Sequence, residues 1–163
     1  VPVTAAIQEL ARLPHLEPEK VADTLGRRLR LLDEDDYLLQ YQLAGGMCVP
    51  VDRVELRWAK SRPVGFLHAT IAEGIRLPIP EMQSAWERHP MTFIPPSPRQ
   101  PGGSLLYVYK IALGELRLTF GDFDEGYLLS AFVLDESPLV DWAAREKEEE
   151  IEGPEEAEVE AES

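Results

Sequence analysis

Gly126-Tyr127-Leu128-Leu129-Ser130-Ala131-Phe132-Val133 decides the fold, because Gly65-Phe66-Leu67-His68-Ala69-Thr70-Ile71-Ala72 anticipates it 61 positions earlier. Both open on Gly-aromatic-Leu and then run through residues of strand character. The same spacing relates Glu17-Pro18-Glu19-Lys20-Val21-Ala22-Asp23-Thr24-Leu25 to Ile79-Pro80-Glu81-Met82-Gln83-Ser84-Ala85-Trp86, with Val21 and Leu25 answered by Met82 and Trp86. The chain therefore reads as one layout used twice, a Pro-led helix followed by three strands.

Working outward, Ile7, Leu10 and Leu13 stand at helical spacing behind Thr4, and Pro14 ends that first short helix. A second helix is predicted from Pro18 to about Leu29, and a third over 80–89. Tyr37–Leu43 reads as a strand after the acidic turn Asp33–Asp36. Val54, Leu56 and Trp58 alternate with Arg53, Glu55 and Arg57, and Leu116, Leu118 and Phe120 alternate with Glu115, Arg117 and Thr119. Leu105–Ile111, Leu113–Phe120 and Gly126–Leu134 are linked closely enough to form a meander, whereas 90–103 reads as a long Pro-rich loop.

These elements predict an α+β fold: an antiparallel sheet of about six strands from two α-β-β-β units, with helices covering one face and the other left open. The expected organisation is an N-terminal helix over 1–15, a single domain over 16–143 with repeats at 16–73 and 79–135, and a disordered acidic tail over 144–163.

Charge is uneven. The net value is −14, of which residues 146–163 carry −9 through ten Glu and one Lys. Residues 1–145 carry only −5, and their one local basic cluster is Arg27-Arg28 with Arg30, which argues against nucleic acid as a partner. The single Cys48 excludes an internal disulfide framework and a Cys-rich zinc site. No run of about 18 apolar residues is present, so no transmembrane segment is expected. Val1 at the start is compatible with a removed signal peptide or with trimming.

Catalytic constellations do not emerge. His15, His68 and His89 sit in different elements without an i,i+4 partner, and Ser84, Ser104 and Ser130 lack a nucleophile-elbow setting. Asp122-Phe123-Asp124-Glu125-Gly126 resembles the start of a calcium loop, but Val133 stands where the twelfth-position glutamate belongs. A hairpin turn is the better account. No metal, cofactor or enzymatic activity is expected.

What remains is a contact surface. Tyr107 and Tyr109 share one strand face, while Arg57 and Arg117 lie opposite the apolar rows of their own strands. Tyr and Arg are favoured interface anchors, so these four, with Asp122, Asp124 and Glu125 on the neighbouring hairpin, are the candidate partner-binding residues.

The helix-plus-meander unit, carried by Glu19-Lys20-Val21-x-x-x-Leu25-Gly26 and by Leu116-Arg117-Leu118-Thr119-Phe120 with Gly126–Leu134, resembles the tandem repeat of beta-lactamase-inhibitor proteins and of small outer-membrane assembly lipoproteins. The resemblance spans residues 17–135. Small acidic proteins without catalytic motifs also resemble bacterial immunity proteins, which block a toxin by occupying its active site. It implies a protein-binding inhibitor, most concretely an immunity protein against a secreted toxin or effector. The alternative is a structural or assembly protein of the bacterial envelope. The implied location is the periplasm, with the cytoplasm as the alternative.

Overall fold

The computed structural model describes residues 2–45, 49–61, 64–97 and 103–137. The expected Cys48 environment and the acidic tail lie outside these residues. Three helices, α1 (Val3–Ala11), α2 (Pro18–Leu25) and α3 (Ile79–Ser84), accompany eight strands. The strands are β1 (Arg28–Glu34), β2 (Leu38–Ala44), β3 (Val51–Ala59), β4 (Gly65–Ile71), β5 (Met91–Ile94), β6 (Leu105–Ile111), β7 (Gly114–Phe123) and β8 (Gly126–Asp135). They form one antiparallel sheet in the order β1-β2-β3-β4-β8-β7-β6-β5. Two four-strand meanders thus meet through their last strands.

The expectation of about six strands in two α-β-β-β units is therefore corrected to eight, with four strands in each half and three helices among the described residues. The helix expected to reach Leu29 stops at Leu25, because Gly26 takes φ 63° and turns the backbone out of the helix. That release frees Arg28-Leu29-Arg30-Leu31 to alternate as β1 on the sheet edge. Residues 91–94, assigned to the Pro-rich loop, instead form β5 on the opposite edge, between Pro90 and Pro95. Proline lacks a ladder donor, which confines this strand to four residues and to an edge. The helix expected over 80–89 is regular only to Ser84.

Helical spacing sets the core. α1 buries Val3, Ala6, Ile7 and Leu10, α2 buries Val21, Ala22 and Leu25, and α3 buries Met82, followed by Trp86. They cover one face of the sheet, where Val54, Leu56, Leu67, Ala69, Leu116, Leu118, Phe120, Phe132 and Leu134 complete a single cluster. α1 belongs to this core.

Glu136, just after β8, anchors the α1–α2 connection to the sheet. Its buried carboxylate accepts the amides of Leu16 at 2.7 Å and Gly65 at 2.9 Å, and lies 2.9 Å from His15 Nδ1. Two glycines make room for this junction. A Cβ on Gly65 would stand 2.7 Å from Leu16 Cβ, and one on Gly114, where φ is 146°, would stand 2.2 Å from the Asp135 carbonyl oxygen.

Candidate interaction surface

Directly opposed residues of an antiparallel ladder share a face, so the register assigns every side chain. Arg30, Gln42, Glu55, His68, Val133, Arg117, Val108 and Thr92 form one continuous row across all eight strands. A second row runs Asp33, Gln40, Arg57, Phe66, Asp135, Glu115 and Lys110 across seven of them. Both lie on the face turned away from α1, α2 and α3, whose buried residues pack against the alternate positions. Among the described residues, α1, α2 and α3 pack on the opposite face and leave this polar one uncovered.

Arg117 organises its middle. Its Nε donates to Glu115 Oε1 at 2.9 Å, and a terminal nitrogen donates to Asp135 Oδ2 at 2.8 Å. Asp135 is itself nearly buried and also accepts the Ser137 amide at 2.9 Å. The guanidinium is thereby fixed in orientation, which lowers the entropy a partner contact would otherwise remove. Two strands from Asp135, Arg57 extends over the Phe66 ring with 5.9 Å to its centroid.

Of the sequence-derived candidates, Arg57 and Arg117 thus stand on one face and are linked through Phe66 and Asp135. The tyrosines do not join them. Tyr107 and Tyr109 pair with Leu118 and Leu116, on the helix-covered face. Tyr109 is 2% exposed, and its hydroxyl forms a side-chain hydrogen bond with Gln83 of α3. Burial, reinforced by nearby Tyr107, raises the Tyr109 pKa, and the Gln83 bond only partly offsets this. Tyr107 is half-buried, edge-on to Phe120 at 5.7 Å and tilted against Phe93 at 5.2 Å. Their expected place on the open face is corrected accordingly.

The acidic candidates occupy a third location. Asp122 pairs with Tyr127 at the β7–β8 hairpin, roughly 17 Å along the strand from Arg117 at about 3.3 Å per residue. Asp124 and Glu125 form the turn, and Glu125 is ion-paired with Arg76 of the β4–α3 connection. Among the described residues, no group of three or more His, Cys, Asp or Glu side chains converges as a metal site. No helix among them is long and apolar enough to cross a membrane.

Sequence reasoning did not nominate His68, Lys110, Glu115 or Asp135 as contact residues, although they share a face with Arg57 and Arg117. Their signal was present, since each falls at an alternate position beside a core residue, but strand pairing was needed to join them. A groove of about 500 Å³ lies between Arg12 and Leu13 on one side and Trp86 and His89 on the other. Trp86 and His89 line this groove, and Trp86 Nε1 and His89 Nδ1 are shielded from solvent with no hydrogen-bond partner among the described residues. No family model, curated protein or solved structure matches this chain.

Proposed function

We propose that the chain is a protein-binding inhibitor that lays the open face of its sheet over a partner, and that the partner is a bacterial toxin or effector, which makes the chain an immunity protein. The observation that carries this reading is the unbroken open row from Arg30 to Thr92, which includes the oriented Arg117 and has Arg57 in the row beside it. Such a face offers the guanidinium groups of Arg57 and Arg117 beside the half-buried apolar Phe66 and Val108, a mixture suited to a specific protein contact. The eight-strand sheet holds these groups in register.

Affinity capture from the source cells tests the proposal. A stoichiometric protein should be recovered, its gene should lie beside this one, and its toxic activity should be suppressed by the purified chain. Replacing Arg57 or Arg117 with Ala should weaken that complex by at least about 1 kcal/mol, the level of a contributing interface residue. Failure to suppress any activity of the captured protein would remove the inhibitor reading, and undiminished affinity in both variants would remove the face.

A further inference from the structure

The two edges of the sheet are defended differently. β1 carries Arg28, Arg30, Asp33 and Glu34, and its ladder to β2 slips between Leu31 and Asp33, a charged and irregular border of the kind that discourages strand addition. β5 has neither charge nor bulge. Residues 90–97 hold no charged side chain, and Met91, Phe93 and Ile94 are 44%, 45% and 46% exposed. The Lys110 amide donates to the Pro90 carbonyl at 3.0 Å, so in this antiparallel ladder the backbone groups of residues 90, 92 and 94 turn towards β6. Those of Met91 and Phe93 turn outward. Among the described residues, no strand lies beyond β5 to meet them.

We propose that β5 pairs antiparallel with β5 of a second copy of this chain, about a two-fold axis through Thr92. Register selects this occupant. With Thr92 opposite Thr92 of the second copy, Met91 stands opposite Phe93 of that copy, and every outward N–H and C=O of the two residues is answered by its counterpart. The same register lays each exposed Met91 against an exposed Phe93 on the helix side, a thioether–aromatic contact that Tyr107 and Phe120 extend inward. Ile94 meets Pro90 of the second copy on the open side. A strand without charges approaches its own copy without local repulsion, although the chain as a whole carries −14. Because the pairing covers both β5 edges and leaves the charged β1 edges outermost, it closes at two copies. Each copy contributes a strand of 4 residues, so the interface is small and the dimer is concentration-dependent. The open row from Arg30 to Thr92 then runs on into the second copy, which doubles the open face. The pairing itself does not rest on what that face binds.

Sedimentation equilibrium of the full chain, with amide hydrogen exchange beside it, tests the pairing. The average mass should rise from one copy towards two between about 1 μM and about 1 mM, the range of a weak complex. Over that range exchange at the outward Met91 and Phe93 amides should slow severalfold, and at Thr92 and Ile94, already bonded to β6, far less. Thr92→Lys sets like charges opposite each other at the axis from an exposed position, and should hold the mass at one copy without lowering the melting temperature of the dilute chain. Thr92→Cys, in a Cys48→Ser background, should form a symmetric disulfide under mild oxidation, because directly opposed residues outside the hydrogen-bonded pairs bring their Cα atoms to about 4.5 Å. Tyr37→Cys, at a position 77% exposed beside the other edge, should cross-link far less. A chain that stays single at the highest concentration, a dimer that survives Thr92→Lys, or Met91 and Phe93 amides indifferent to concentration would overturn the proposal.

Discussion

Two neighbouring rows of the same sheet, one residue apart on every strand, have opposite fates. Leu31, Tyr41, Leu56, Leu67, Leu134, Leu116, Tyr109 and Met91 face the helices, while Arg30, Gln42, Glu55, His68, Val133, Arg117, Val108 and Thr92 face away. A one-residue register slip would exchange them, so the hydrophobic drive that builds the core also fixes the polar surface. The covered row is itself graded. Leu56, Leu67, Leu116 and Leu134 are fully buried, whereas Leu31 and Met91 at the two edges remain exposed. Helical cover is confined to the middle of the sheet.

The sharpest way to break the contrast is to empty the covered side. Phe132→Ala, at a position with 0% exposure, should cost roughly 3–5 kcal/mol in denaturant unfolding. Arg57→Ala on the open side should stay within about 0.5 kcal/mol of the wild type. Comparable losses would mean that the two faces are not distinct energetically.

Next in size is the junction that closes the covered side. Glu136→Ala should cost about 3 kcal/mol by the same unfolding measurement, because the buried Leu16 and Gly65 amides lose their acceptor. A neutral effect would show that water replaces the carboxylate.

A smaller effect separates the tyrosines from the interface. Tyr109→Phe should cost about 1 kcal/mol of stability through loss of the Gln83 bond, and should leave partner affinity unchanged. Because the folded pKa is raised, the Tyr109 contribution is complete below the ordinary tyrosine value near 10 and is lost as pH rises through the higher folded value. The decline of stability in strong alkali should therefore be shallower in Tyr109→Phe, and identical alkaline profiles would contradict its burial.

The smallest effect lies at the β1–β2 turn. Asp35 Oδ1 accepts the Tyr37 and Leu38 amides at 2.7 and 2.8 Å, and these bonds lower its pKa. The turn support is present above the ordinary carboxylate value and lost as pH falls through the lowered one. Asp35→Ala should speed hydrogen exchange at Tyr37 and Leu38 while leaving β4 and β8 unchanged. Unaltered exchange would show that the turn holds without its carboxylate.

Much of this architecture was legible where alternation was unambiguous. β3 and β7 place charges opposite apolar residues, and the Gly-led β4 and β8 were delimited by their shared opening. β1 was concealed because an alternating Arg-Leu run after a helix also fits helical continuation, and burial at an edge is too slight to mark the period. β5 was concealed by its prolines. The tyrosines were assigned to the wrong side because both faces of β6 carry apolar residues, Leu106 and Val108 as well as Leu105 and Ile111. Only pairing with Leu116 and Leu118 resolves that choice. Arg57 and Arg117 were legible because their strands alternate cleanly, whereas Asp135 became visible only through its bonds to Arg117 and Ser137.

The central claim, that the open face receives the partner, is tested most directly by methyl spectra of the full chain titrated with the captured protein. Val108 and Val133 report on the open row, and Leu116 and Leu118 on the covered one. The account predicts that the two valines shift or broaden on binding while the two leucines stay in place. Saturable binding that leaves both valines unmoved would contradict it.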